Sequence, residues 1–289
     1  MNVLPLNEIK SEGILRVSTG IFLLDRIFGT DGEMGAKDFQ AGPAKGSLVM
    51  LAGEAGAGKS RLAIEIGTNI NARGGSVVTF QLEVSPSDYK SWTKDKVQHP
   101  EKFYVSPERN HREQIEIIKA LKPTLVIVDS VNRYDVHYNG VAELIDELQA
   151  CARETGTIIL LIGQLDKKGN KMMVRGSQDW TFLPDVVVNV YRELKSEKDV
   201  AKEWMDRART LAVQYGVTIT PDKKAAIELN AREAHADYLN EMRGVFCVGI
   251  HDKNRFGKTG GVCEMKHTEE GVEAYRKIYS PEELDEHFN

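Results

Sequence analysis

The sequence predicts an α/β fold: a mostly parallel central sheet flanked by helices, with a helical insertion. Three observations carry that expectation. Between Ser47 and Gln164, nearly continuous apolar runs of strand length alternate with amphipathic runs of helix length. A glycine-rich phosphate-loop signature joins the first such run to the first helix. A charged helical stretch at 195–243 interrupts the later part of the chain. Strands covered on both faces read as unbroken apolar runs, and their alternation with helices implies right-handed crossovers between parallel neighbours.

Strands are expected at 47–52, 76–82, 124–128 and 157–162, with later ones near 185–191 and 245–251. Helices fit at 59–72, 112–121 and 141–154. In the last of these, Val141, Leu144, Ile145, Leu148 and Ala152 form one apolar stripe at helical spacing. The segment 29–46, rich in Gly, Ala and charge, reads as an ordered loop ahead of the first core strand. In the insertion, Val200, Trp204, Ala208, Leu211, Ala212 and Tyr215 share a face, a pattern read as packing against the rest of the protein or else as a surface that holds a neighbour or partner. A break at 217–221 and a second helix at 222–242 complete a helical hairpin. The expected organisation is one domain over 1–289, with its core at 17–194 and 244–275, the insertion at 195–243 and a tail at 276–289.

Composition narrows the function classes. The 289 residues include 38 basic and 43 acidic side chains, a net charge of −5, and 41% are hydrophobic. Such a chain can bury a core, which excludes a disordered protein. The longest apolar runs, such as 158–162, fall far short of the roughly 18 residues of a membrane span. The opening MNVLPLNEIKSEG lacks a basic segment followed by an apolar one, so no secretory leader and a cytoplasmic location are expected. Cys151, Cys247 and Cys263 are scattered and read as reduced core residues. The seven histidines lack zinc spacing. The mild negative charge argues against general coating of nucleic acid and leaves local basic loops open.

The phosphate loop runs Gly53, Glu54, Ala55, Gly56, Ala57, Gly58, Lys59, Ser60, with Arg61 following. It lies after a strand and before a helix, where backbone N–H groups and the positive helix end surround a phosphate. In that pattern Lys59 reaches the β- and γ-phosphates of ATP and Ser60 gives a hydroxyl to Mg²⁺. Asp129 ends the run 125–128 and is the candidate second Mg²⁺ group. Glu83, at the end of the preceding strand, is the candidate general base; an exposed strand-end carboxylate is its other reading. Gln164, at the end of the strand over 158–162, is a candidate γ-phosphate sensor or else a turn residue.

These residues resemble the RecA-like P-loop ATPases and, within them, the RadA (Sms) family of DNA-repair ATPases. Ser18, Thr19, Gly20, Leu24, Asp25, Arg26 and Gly29 fall as in the STGxxxLDRxLG segment that RadA and KaiC proteins place before the phosphate loop. Lys253, Asn254, Arg255, Phe256 and Gly257 reproduce the family's KNRFG motif, and 261–265 resembles its continuation. The likeness spans about residues 15–194 and 244–275. It implies a RecA-like core, a hexameric ring with ATP held between subunits, movement on single-stranded or branched DNA, and recombinase or replication proteins as further partners.

By the same resemblance Lys253 and Arg255 would approach the neighbouring subunit's γ-phosphate. A local reading also stands, in which 254–257 is a hairpin turn with Gly257 at positive φ. The loop 166–180, carrying Lys167, Lys168, Lys171 and Arg175, would face DNA, or else be a solvated charged loop. The family's four-cysteine zinc module and Lon-like domain have no counterpart in this sequence, and the insertion is foreign to it. Two other classes fit the core: a KaiC-like regulatory assembly gating protein partners without DNA, and a helicase or helicase loader of a mobile element.

Overall fold

The computed structural model describes residues 13–134, 140–166, 173–269 and 271–275. It divides into two compact units, 1–191 with 247–289, and 192–246.

In the larger unit the chain begins with α1 (Phe22–Phe28) and a small antiparallel pair, β1 (Thr30–Asp31) and β2 (Gln40–Ala41). The loop expected at 29–46 therefore contains a two-strand ribbon. The STG…LD residues form a local knot: Asp25 accepts from Ser18 Oγ at 2.6 Å, and from Thr19 N and Thr19 Oγ1 at 2.7 Å each. Burial raises the Asp25 carboxyl above its ordinary range, against those same hydrogen bonds and the charge of Arg73. The motif thus holds the lead-in to α1 in place.

The sheet follows as β3 (Leu48–Gly53), β4 (Val77–Gln81), β5 (Phe103–Ser106), β6 (Leu125–Asp129), β7 (Ile158–Asp166), β8 (Met173–Val174), β9 (Val186–Tyr191), β10 (Val245–Ile250), β11 (Gly261–His267) and β12 (Val272–Ala274). Its order is β12-β11-β10-β9-β3-β7-β6-β4-β5, with β8 beside β7. The strands from β9 to β5 in that order are parallel, whereas β10 joins β9 antiparallel and β11 pairs β12 antiparallel. The strands expected at the four early runs are present within a residue or two, except that β7 continues to Asp166. Pairing of Leu165 with Val174 prolongs it, which places Gln164 inside the strand rather than at its end.

Helices α2 (Lys59–Ala72), α4 (His111–Leu121) and α5 (Val141–Thr155) cross between strands, and α3 (Pro86–Thr93) and α6 (Asp179–Phe182) are short. Leu48, Met50, Phe80, Val126, Ile159 and Leu161 share a core with Ile118 of α4 and Leu144, Ile145 and Leu148 of α5. On the other face α2 comes so close that a Cβ on Gly67 would lie 3.1 Å from Ile127 Cδ1. Each fully buried Leu, Ile or Val side chain contributes about 1.5–3 kcal/mol, which explains why unbroken apolar runs occupy the central strands.

The smaller unit is an antiparallel helix pair, α7 (Glu197–Gln214) and α8 (Pro221–Glu241). Ser196 and Asp199 form a reciprocal capping box, and Thr220 caps α8 with Pro221 at its first position. Arg232 pairs with Glu197 at 3.2 Å and His235 Nε2 meets Lys195 O at 3.1 Å. Val200 is buried, but Trp204, Leu211 and Tyr215 are exposed, Tyr215 at 70%. Helical periodicity reports amphipathicity and leaves open whether anything covers the apolar face.

Candidate active site

Four strands bring the candidate residues together by register. Gly53 of β3 pairs with Gln164 of β7, Asp129 of β6 with Ile162 of β7, and Gln81 of β4 with Asp129. Leu82 N continues the ladder to Asp129 O at 2.8 Å, which brings Glu83 beside the end of β6. The phosphate loop leaves β3 at this edge, where open parallel sheets bind ligands.

The loop Glu54, Ala55, Gly56, Ala57, Gly58 turns from Gly53 into α2, with Gly58 at φ 96°. A Cβ on Gly58 would fall 2.4 Å from Nε2 of His267, so glycine here permits both the backbone conformation and the close approach of β11. Lys59 folds onto its own loop, its Nζ donating to Gly53 O at 2.8 Å and Glu54 O at 2.7 Å. Burial lowers the Lys59 pKa, while Asp129, Glu83 and Glu54 oppose that shift. Arg61 donates to Thr268 O at 2.6 Å.

Asp129 is buried, with the Ser60 hydroxyl beside it. Burial raises its carboxyl above the ordinary range and the Glu83 charge adds to this, against Ser60 and Lys59. A hydroxyl and a carboxylate side by side, with a second carboxylate nearby, are the hard oxygen donors that Mg²⁺ takes while keeping several waters. The donor set fits that ion. Among the described residues, no group of three or more His, Cys, Asp or Glu side chains forms a metal site of its own.

Glu83 is half exposed and accepts from Ser130 Oγ at 2.6 Å, with Arg133 Nε 4.0 Å away. A cavity of about 390 Å³ opens here, lined by Glu83, Asn132, Arg133, Gln164, Arg175 and Trp180 among others. Arg175 is exposed on its rim. Lys167, Lys168 and Lys171 lie outside the described residues.

Lys253 and Arg255 are elsewhere. Val187 N donates to Lys253 O at 3.1 Å and Arg255 N to Asp185 O at 3.0 Å, which ties the motif to the start of β9. Asp185 also accepts from Leu48 N at 3.0 Å, at the beginning of β3. The motif and the chain's own phosphate loop are thus at opposite ends of β3, separated by five strand steps or roughly 16 Å. Arg255 Nη1 is 2.5 Å from the fully buried Asp185 Oδ1, yet the Arg255 side chain stays 49% exposed. Lys253 Nζ donates to the carbonyls of Phe182 and Leu183, and burial lowers its pKa, with the Arg255 charge adding to the effect.

The hairpin-turn reading of 254–257 is corrected. A ten-residue connection separates β10 from β11, and Gly257 does not lie at positive φ. Glycine is required there because a Cβ would meet Phe28 O at 2.5 Å and Asn254 Nδ2 at 2.7 Å.

Four residues at or near these sites escaped the sequence reading: Ser130, Asn132, Asp185 and His267. Ser130 follows a recognised motif residue and could have been found from that position. The others carry no local pattern, since their partners are 32 or more residues away in sequence.

No family model matches the chain. It is similar to curated DNA repair proteins RadA: 26% identical over 212 residues to that of Aquifex aeolicus, covering 68% of this chain and 44% of the relative. The Treponema pallidum protein is 25% identical over 205 residues, with 68% and 40% covered. That of Bacillus subtilis is 25% identical over 174 residues, with 57% and 36% covered. The chain spans less than half the length of these relatives. Among solved structures, a KaiC-like protein of Pyrococcus horikoshii OT3 superposes with a TM-score of 0.58 at 14% identity, covering 91% of this chain and all of that one. The RadB recombinase superposes with a TM-score of 0.53 at 19% identity, covering 90% and 99%. The fold is therefore RecA-like. No helix among the described residues is long and apolar enough to cross a membrane.

Proposed function

We propose that this chain is an ATPase of recombination or repair that couples ATP hydrolysis to movement on single-stranded or branched DNA as an oligomeric ring. The observation that carries the reading is the convergence of Lys59, Ser60, Asp129, Glu83 and Gln164 at one sheet edge, with a basic segment starting three residues beyond Gln164. RadA relatives at about a quarter identity support the DNA assignment.

In this reading the loop N–H groups and Lys59 bind the ATP phosphates, and the Lys59 ammonium exchanges the carbonyls of Gly53 and Glu54 for phosphate oxygens. Ser60 and Asp129 would hold Mg²⁺, which supplies charge neutralisation across the β- and γ-phosphates when bound. Glu83 orients the attacking water and takes its proton. Gln164 senses the γ-phosphate. Because Lys253 and Arg255 sit at the far end of β3 from their own loop, any action on phosphate is on a neighbouring copy, as an arginine finger in trans.

The test is ATP turnover with and without single-stranded DNA, with Lys59→Ala as the blank. Stimulation that weakens as salt rises is the expected result. Replacing Arg175 by Ala is expected to lower the slope of log K against log salt by about 0.7, the contribution of one phosphate contact on a single strand. Turnover indifferent to DNA would instead favour a regulatory, partner-gated assembly, to which the net charge of −5 lends support.

A further inference from the structure

One buried carboxylate gathers four nitrogen groups from three parts of the chain. Asp185 stands just before β9, and none of its side chain is exposed. Its Oδ2 accepts from Leu48 N at 3.0 Å, which ties it to the first residue of β3. Its Oδ1 is crowded: Arg255 Nη1 is 2.5 Å away, Gln149 Nε2 3.3 Å and Arg153 Nη2 3.4 Å. Gln149 and Arg153 both come from α5, about one helical turn apart. Two guanidinium groups therefore share one carboxylate oxygen, and both side chains are half exposed.

The backbone around Arg255 is fixed independently of that ion pair. Arg255 N donates to Asp185 O at 3.0 Å, Asn254 Nδ2 to Phe28 O at 3.0 Å and Arg16 Nη2 to Phe256 O at 2.5 Å. The side chain of Arg255 is what remains able to move. Stripping a buried carboxylate of its cation is costly, because its desolvation is then uncompensated. Asp185 escapes that cost. When Arg255 leaves, Arg153 and Gln149 stay on Oδ1 and Leu48 N stays on Oδ2. Three nitrogens crowd an oxygen with two lone pairs, so one of them is in excess. Lys253, the other cation nearby, is engaged by the carbonyls of Phe182 and Leu183.

We infer that Asp185 holds Arg255 in reserve, and that Arg153 is the positioning residue that lets Arg255 leave for phosphate by taking over the buried charge. The inference rests on the in-trans reading of Arg255 above and names the control of that same group. Arg153 acts only through Asp185. Without it, the departure of Arg255 leaves Asp185 with no guanidinium, and Arg255 stays docked.

The experiment mixes two kinds of whole chain in equal amounts and follows ATP turnover with single-stranded DNA present. One kind carries Lys59→Ala and supplies an intact Arg255; the other carries Arg255→Ala and supplies an intact phosphate loop. Arg153→Ala is then added to one kind at a time. In the chain that supplies Arg255 it is expected to lower the turnover of the mixture about tenfold. In the chain that supplies only the loop it is expected to leave turnover within about twofold of the unmodified mixture. Arg153→Gln keeps a donor of similar reach without the charge. It is expected to give the same asymmetry, which keeps the inference testable if the alanine variant does not fold. Equal loss in both placements overturns the inference, since Arg153 would then merely support the fold or the assembly. Undiminished turnover in both placements overturns it as well and leaves the in-trans reading standing. An unmodified mixture no more active than its components overturns the in-trans reading and this inference with it.

Discussion

The Ser130 hydroxyl donates to Oε1 of Glu83 at 2.6 Å, so the residue after the candidate Mg²⁺ ligand holds the candidate base. The hydrogen bond orients Glu83 without burying it, and the carboxylate stays half exposed beside the cavity. Glu83→Gln preserves an acceptor for Ser130 and removes the site for a proton. Turnover is expected to fall by about 10²–10⁴-fold, with ATP binding retained. Single-turnover kinetics alongside analogue binding check this, and undiminished turnover would exclude Glu83 as the base.

Asp129 links stability and function with opposite signs. Burial raises its carboxyl above the usual 3.8, so the folded chain binds more protons than the unfolded one between 3.8 and that raised value. Stability therefore falls as pH rises through this window, and at neutral pH the ionised group still carries the cost. Asp129→Asn is expected to raise the melting temperature of the nucleotide-free chain at pH 7 and to flatten its acid-side pH dependence. The same change is expected to lower Mg·ATP turnover by at least ~10²-fold. Melting curves from pH 4 to 8 and turnover at saturating Mg²⁺ decide both parts.

Because the Lys253–Gly257 motif is at the opposite end of β3 from its own phosphate loop, action in trans makes a mixing prediction. Lys59→Ala and Arg255→Ala chains are each expected to be inactive or nearly so. Mixed in equal amounts, they place an intact loop against an intact finger at a fraction of the interfaces. Activity is then expected to return to about a quarter of the parental rate for random assembly through a head-to-tail interface. A mixture no more active than its components would rule out the in-trans role.

The exposed apolar side chains at the C-terminal end of α7 and just after it predict tolerance. Val213→Ser and Tyr215→Ser, at positions 85% and 70% exposed, are expected to change stability by no more than about 0.5 kcal/mol. Leu148→Ala in the core of the larger unit is expected to cost about 2–5 kcal/mol. Urea titration of the three variants measures the contrast.

Much of the larger unit was legible in the sequence because its signals are local. The apolar runs behind β3, β4, β6 and β7, the stripe of α5, and the loop from Gly53 to Ser60 each fit within one short window. The short strands β5, β8, β11 and β12 were not legible, since two to seven residues of mixed character carry no period that separates them from loop. The α7 stripe is a different case: Trp204, Leu211 and Tyr215 satisfy the helical period whether or not a partner covers them.

The sequence by itself determined the α/β class, the crossover helices, the phosphate loop and the neighbourhood of Asp129, because side-chain periodicity and a contiguous backbone motif are written within a few turns of chain. The tertiary structure alone decided that Gln164 stands opposite Gly53, that Ser130 rather than solvent meets Glu83, and that Asn132 bridges Gln164 and Arg175. It also decided that Asp185 anchors Arg255 far from the chain's own phosphate loop and that His267 closes over Gly58. Each of those relations depends on the register of parallel strands or on a contact across tens of residues. Inter-strand hydrogen bonds and close packing select that register only when all the strands are in place.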